Sequence, residues 1–481
     1  MQRLSGTDSL FLAGETRAWH QHVAGLAVVD PTGVPGFGYD AIRKTVEERL
    51  PLVPKFMWKL RELPLRIDRP VWVDDPDFDI DRHMFRATVD PPGGPREVAA
   101  VVGEILSQQL DRSLPLWQLW YLDGIVNGRA AIVMKYHHCL LDGVAGTGLA
   151  TLLLDVEPEP EPRDLPIRPD PEMEPSTLRL VVHTLPSLAL LPVRAAGYTL
   201  RLARRGVDLG RYALSSRPKP DLGAMRNTPK TSFNDSIGPE RTMAYSSVSL
   251  ADAKALRTHF GVKINDIVLA VCSGALRRYL VERGELPEHS LTAGVPVSLR
   301  AGDDTSLDNQ VSFVVVPLAT DIADPADRIR AIGTSTMAAK EFQGVLREHP
   351  VGSIGEAAPP FLIGGVLRAA YVSHLLSYFP GMLNTLISNV AGPPIPLYMA
   401  GAHLCGIFPT SVILEGMGLN ITVFTFEDRV DFGLHVDPNL VPDPWQLSAA
   451  IPVALAELMD AAGLGAPTPV ADAFGVVEQT A

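Results

Sequence analysis

Long uncharged apolar runs are missing from this 481-residue chain; none reaches the roughly 18–20 residues that a bilayer-spanning helix needs. Residues 1–8 also lack the apolar core of a signal peptide, so the expected location is the cytoplasm. Cysteine is scarce: Cys139, Cys272 and Cys405 are far apart and odd in number, which excludes a disulfide framework and a cysteine-based zinc spacing. Lysine is scarce beside arginine, 9 against 33, and the net charge of −13 argues against a nucleic-acid binder. No glycine-rich phosphate loop or dinucleotide fingerprint is present. The clustered carboxylates at 78–84 lack the spacing and glycine of a calcium loop, and they alternate with apolar residues as an exposed strand does.

What is present is length and grease. At 481 residues, two domains are the prior, and 46% hydrophobic content with 20% charge describes a folded protein with an apolar channel or greasy surface. The organisation expected is residues 1–158 as a first domain, 159–230 as a linker, and 231–481 as a second domain. The linker begins proline- and acid-rich, then changes sign. Residues 176–219 carry eight Arg or Lys against one acid, a formal +7 that leaves −20 for the rest. Apolar residues alternate with Arg194, Arg201, Arg204 and Arg205 at near-helical spacing. Two readings stay open for it: an interfacial helix on anionic lipid, or a helical hairpin packed on the two domains.

Hydrophobic periodicity predicts helices over 39–50, 97–110, 144–154, 251–260, 267–283, 324–343 and around 359–378. Strands are predicted at 23–29, 117–122, 130–134, 241–250, 291–298, 311–318, 404–408, 419–426 and 430–436. Asn127-Gly128 signals a hairpin between the second and third of these. Asn265 or Asp266 has the chemistry to cap the helix that follows, and 389–393 reads as a turn. His20 and His22 read as structural histidines.

The chemistry concentrates in Tyr136-His137-His138-Cys139-Leu140-Leu141-Asp142-Gly143, at a strand-to-helix turn. Strand neighbours point to opposite faces, so the two histidines cannot share one pocket if the strand continues. A histidine near neutral pKa is a natural general base for an alcohol. A histidine pair before a turn is by itself more often structural or metal-binding. The metal reading is poor because the two diverge and no third ligand is apparent. Cys139 beside a histidine suggests a covalent route, but sequence neighbours on a strand rarely form a nucleophile–base pair, so a packed thiol is favoured.

This motif matches HHxxxDG of the CoA-dependent acyltransferase and condensation-domain superfamily. More narrowly, the chain resembles the bacterial wax ester synthase/acyl-CoA:diacylglycerol acyltransferase family, including its actinobacterial triacylglycerol synthases. The supporting blocks are Leu4-Ser5-Gly6-Thr7-Asp8-Ser9-Leu10-Phe11-Leu12, Pro115-Leu116-Trp117, Asn265-Asp266-Ile267-Val268-Leu269-Ala270, Pro296-Val297-Ser298-Leu299-Arg300 and Ser388-Asn389-Val390-Ala391-Gly392-Pro393. Two departures are small: Cys139 stands where alanine is common, and Ala391 where proline is usual.

The resemblance implies an α/β fold of two chloramphenicol-acetyltransferase-like domains, mixed sheets flanked by helices, forming a pseudo-dimer around a tunnel. It implies His138 as general base, His137 as its support, and Asp142 as a structural anchor beside Gly143. Arg300 is the candidate partner of Asp142. Asn265 is a candidate oxyanion donor or cap, and Pro115, Trp117 and Asn389 are candidate substrate-binding residues. No bound cofactor or metal is implied; acyl-CoA is the co-substrate. The acceptor is diacylglycerol or a long-chain alcohol, and the expected setting is the inner face of the plasma membrane or a lipid droplet. A different envelope-lipid acceptor, or a lipid-binding protein without turnover, are the competing functions.

Overall fold

The computed structural model describes residues 2–64, 68–140, 153–161, 163, 165–166, 175–221, 223, 227–298, 311–346, 365, 369 and 383–476. The expected sites Asp142, Gly143 and Arg300, and almost all of the helices expected at 144–154 and 359–378, lie outside them.

In chain order the first half holds β1 (Gln2–Arg3), α1 (Gly6–Gly14), β2 (His22–Asp30), α2 (Tyr39–Arg49), β3 (Trp58–Arg61), β4 (Val71–Asp74), β5 (Met84–Thr88), α3 (Pro95–Ser107), β6 (Trp117–Asp123) and β7 (Ala130–His137). Two helices, α4 (Thr177–Ala189) and α5 (Leu191–Ala213), connect the halves. The second half holds β8 (Thr242–Ser249), α6 (Leu250–Phe260), α7 (Ile264–Glu282), β9 (Thr292–Ser298), β10 (Val311–Pro317), α8 (Pro325–Leu346), β11 (Thr385–Ala391), β12 (Tyr398–Met399), β13 (Ala402–Thr410), β14 (Leu419–Phe426), β15 (Arg429–Val436) and α9 (Pro444–Ala461).

Two six-stranded mixed sheets form the two halves. The first runs β12-β13-β2-β7-β6-β5, the second β10-β9-β11-β14-β15-β8, and a small sheet runs β1-β4-β3. The hairpin signal holds: β6 and β7 pair antiparallel from Trp117↔Tyr136 to Leu122↔Ala131, and the connection has Asn127 at φ 58°. On β7, Ile132 and Met134 face the core made with Leu12 and Val46, whereas Ala131 and Val133 face Val98 and Val102 of α3. A strand buried on both faces explains why its sequence reads as a continuous apolar run. α7 is buried nearly all round, from Asp266 to Leu280. Among the described residues no single helix is long and apolar enough to cross a membrane; α6 and α7 pass together only as a pair bent by 104°.

The strand expected at 404–408 exists as β13, but it does not join the second half's sheet. It pairs antiparallel with β2, Thr410↔Ala24 through His403↔Asp30, with a bulge between Leu404 and Gly406. Asp155 exchanges both backbone bonds with Tyr398 at 2.8 Å, and its carboxylate meets Arg49 at 2.7 Å and Arg163 at 2.6 Å. The second half thus lends a strand to the first. The lent strand stays tied to its own half: the Ile407 amide donates to Asp431 at 2.9 Å, and Asp431 is fully buried beside Arg429 at 3.0 Å. Burial raises the Asp431 carboxyl against the opposing charge of Arg429. The halves meet again where the Arg241 amide donates to Ser107 at 2.8 Å.

Two local expectations fail, and a third, the Asn265-or-Asp266 cap, is met by Asp266 with an earlier helix start. Residues 78–84 form no exposed strand; Ile80–Arg82 is a 3-10 turn capped by Asp79, and the strand starts at Met84. Asn389 lies in no turn but inside β11, paired in parallel with Val423 of β14. α7 starts at Ile264, and its cap is Asp266, whose carboxylate accepts the Lys263 amide at 2.9 Å and the Thr336 hydroxyl at 2.7 Å.

Candidate active site

β7 ends at His137, so the two motif histidines straddle the strand's last residue and the first residue of a turn. Alternation along β7 sends His137 to the same side as Lys135. Its ring is buried, with Nε2 3.7 Å from Glu15 Oε2. Its Nδ1 accepts the Cys139 amide at 3.1 Å. Burial lowers the imidazole's pKa against the attraction of Glu15, so the ring is neutral. A neutral ring accepting at Nδ1 carries its proton at Nε2, aimed at Glu15. His137 is thereby committed to holding the turn.

His138 goes the other way. Its ring stacks on Phe11 of α1, centroids 4.2 Å apart and planes 16° apart, and it is only partly buried. Its amide donates to the Gln21 carbonyl at 2.7 Å. α1 is set for this contact by Ser5, whose hydroxyl accepts the Asp8 amide at 3.0 Å in a standard N-cap. Of the pair, His138 is the residue that keeps some solvent exposure.

Glu15, which sequence reasoning missed, links both arms of the turn. Its Oε1 accepts the Gln21 amide at 3.4 Å, and Gln21 holds His138. Its Oε2 faces His137 and accepts from Arg112 Nη2 at 2.5 Å and Nε at 3.0 Å. Burial opposes ionisation, yet the nearby imidazole of His137 and the bidentate guanidinium of Arg112 hold the Glu15 carboxyl at about 2. Phe11 sits inside a quoted motif block, but Glu15 and Arg112 are 97 residues apart and carry no periodic signal.

Neighbouring groups are structural. Cys139 is fully buried, and burial pushes its thiol well above the usual range, which removes the thiolate a covalent route needs. Lys135 donates to the carbonyls of Ile105, at 2.6 Å, and Gln108 at the C-terminal end of α3, and burial brings its pKa to about 7. His20 and His22 both reach the Leu106 carbonyl at that end, at 3.3 and 2.8 Å, and burial lowers both. Both pack as structural histidines, as expected, although the Nδ1 of His22 is buried without a hydrogen-bond partner among the described residues.

Trp117 is buried at the start of β6; its indole N–H donates to the Phe56 carbonyl at 2.7 Å and its ring stacks on His83 at 4.6 Å. Pro115 is buried, and Leu116 accepts the His137 amide at 3.0 Å. The Pro-Leu-Trp block therefore seats the end of β7. Asn265 is half-buried in the first turn of α7, and Asn389 is half-buried near the end of β11 with its side-chain oxygen enclosed and unbonded among the described residues. Both belong to the second half's layer, apart from the elements that seat the histidines. No group of three or more His, Cys, Asp or Glu able to hold a metal occurs among the described residues.

Residues 4–268 match the wax ester synthase/diacylglycerol acyltransferase catalytic domain, and residues 307–459 match the C-terminal domain of the same family. The chain belongs to this family. Membership makes it an acyltransferase. A relative in Mycobacterium tuberculosis, named as a diacylglycerol O-acyltransferase, is 34% identical over 96% of this chain and 90% of its own. The solved wax ester synthase/diacylglycerol acyltransferase of Marinobacter aquaeolei is 26% identical, covering 96% of this chain and 100% of that one, with a TM-score of 0.69. The starter condensation domain of rhizomide synthetase, solved with C8-CoA and Leu-SNAC, shares the fold at 14% identity, with TM-score 0.52 over 98% of this chain and 96% of that one. The two-sheet pseudo-dimer implied by the sequence resemblance is thus the family's fold.

Proposed function

We propose that this family member transfers an acyl group from long-chain acyl-CoA to the free hydroxyl of diacylglycerol, forming triacylglycerol, with long-chain alcohols as alternative acceptors. The observation that carries the reading is the division of labour in the motif: His137 is buried and proton-committed, while His138 is partly exposed on a turn held at both ends. His138 takes the acceptor's hydroxyl proton, and the oxygen attacks the thioester carbonyl carbon. The C–S bond then breaks, and the imidazolium returns the proton to the departing thiolate. Atoms balance without an acyl-enzyme, in keeping with a Cys139 thiol held in its neutral form.

Support for an acyl-CoA donor comes from the C8-CoA held by the condensation domain of like fold, and for the acceptor from the mycobacterial relative's name. Asp142 and Arg300 are proposed as the anchor between this turn and the second half, with Gly143 giving the tight backbone. Asn265 and Asn389 remain the proposed polar groups toward substrate, and the unbonded oxygen of Asn389 favours it for a donor hydroxyl.

The test supplies radiolabelled palmitoyl-CoA with diacylglycerol, with hexadecanol or with no lipid acceptor, and identifies products by mass spectrometry. Triacylglycerol should form with the wild type and fall by at least roughly 100-fold in a folded His138→Ala protein. Undiminished turnover in that variant sinks the mechanism. Product with neither acceptor moves the function to another envelope lipid or to lipid binding without turnover.

A further inference from the structure

The two linking helices offer an apolar face that nothing in the described structure covers. On α5 and its C-cap, Val193, Leu200, Val207 and Leu214 recur every seven residues and are 65%, 54%, 55% and 91% exposed. Seven residues are close to two helical turns, so the four form one stripe along a helix about 34 Å long. The inward side is fixed independently: Tyr212 is buried and its ring meets Phe342 of α8 at 5.6 Å. Residues half-buried on α5, among them Arg194, Tyr198, Arg201 and Leu209, lie on Tyr212's side, so the stripe points outward.

α4 repeats the arrangement. Leu180 is buried against Leu63, Val71 and Val73, with Thr184 buried beside it one turn on. Leu178, Val182 and Leu185, spaced i, i+4, i+7, are 73%, 55% and 56% exposed on another side. Two adjacent helices that each pack one face and leave an apolar stripe in water are not explained by the chain's own core.

Charge selects the occupant. Arg204 and Arg211, both exposed, flank the α5 stripe four residues after Leu200 and Val207. The segment 176–219 carries +7 and the remainder −20. A second copy of this chain could meet the stripe only with its own, which would bring two +7 segments face to face. A negatively charged bilayer offers both an apolar interior and anionic headgroups, and it repels the rest of the protein. We propose that α4 and α5 form a docking hairpin that lies flat on an anionic lipid bilayer. This orients the molecule with one side to the membrane, where a diacylglycerol acceptor resides.

The experiment is flotation of the full-length protein with vesicles of phosphatidylcholine alone or with one-third phosphatidylglycerol, at low and high salt. Wild type should float with anionic vesicles and be released by salt. Arg204→Gln with Arg211→Gln should weaken anionic binding roughly 25-fold, about fivefold per arginine. Leu200→Ser with Val207→Ser should weaken it at least roughly tenfold. His138→Ala should bind as wild type, so the docking surface and the proposed chemistry fail separately. Both helix variants should keep wild-type turnover on detergent-dispersed substrates, which shows that they fold. Equal flotation on neutral and anionic vesicles, or variants that float as wild type, overturns the proposal. So does a wild-type dimer in sedimentation that the Leu200/Val207 variant dissociates, because the stripe would then be an interface between copies.

Discussion

Glu15 shows how much one buried carboxylate can organise. It touches no expected reactant, yet it holds Gln21, which holds His138, and it faces His137. Its carboxyl lies at about 2 in the folded chain against 4.5 for the free side chain. A depressed folded pKa means the unfolded chain binds the extra proton first. The stabilisation is therefore complete above about pH 4.5 and is lost as pH falls toward 2. That interval corresponds to about 3 kcal/mol. Glu15→Gln keeps the shape and removes the charge. We expect it to lower stability at neutral pH by about that amount and to flatten the acid limb of the stability curve, measured by denaturant melts across pH. Turnover should fall by up to roughly 100-fold with a smaller change in KM for acyl-CoA, because a mispositioned base is still a base. An unchanged acid limb would remove Glu15 from this role.

At the scale of elements, the motif blocks and most strands were legible because period-2 and period-3.6 patterns are local properties of the chain. β14 falls where the pattern put it, at Leu419–Phe426, and α2 runs Tyr39–Arg49. What was not legible depends on partners distant in sequence. The 389–393 stretch has turn-forming residues, but parallel pairing with β14 draws Asn389 to Ala391 into β11, which ends before Gly392. Asn265 and Asp266 are chemically similar caps by sequence. The choice is made by helix start and by Thr336, 70 residues away, which donates to Asp266 at 2.7 Å. Asp266→Ala should therefore lose both the cap and this buried bond, costing about 2 kcal/mol in a thermal or urea melt. Asn265→Ala should cost well under 1 kcal/mol, since surface-side changes away from such features usually do. Equal losses would return Asn265 to the capping role. The site was legible in the same uneven way: the histidines announce themselves, whereas Glu15 and Arg112 meet only after the chain has folded.

At the scale of the molecule, the two halves are joined through the strand that the second lends to the first. Local pattern predicts a strand near 404–408 but is silent on which sheet it enters. The crossing is close: β13 passes over β15 where a side chain on Gly433 would sit 1.9 Å from the Pro409 carbonyl oxygen and 2.9 Å from its carbon. Backbone cannot yield as a flexible side chain does, so Gly433→Ala must push β13 off β15 or distort β2, its partner on the other edge. We expect a cost at or above the upper end of about 1–3 kcal/mol for overpacking. Turnover should fall with it, because β2 lies between β13 and β7, the strand that delivers the histidines. The matched control is Gly210→Ala on α5, where nothing lies within 4 Å of the added carbon. There the helix gains up to about 1 kcal/mol of propensity, so stability should hold or rise. Opposite signs for two changes of the same size would show that the lent strand, rather than glycine content, couples the halves. Equal tolerance of both would mean that the crossing has room to relax and that the catalytic turn is positioned by the first half alone.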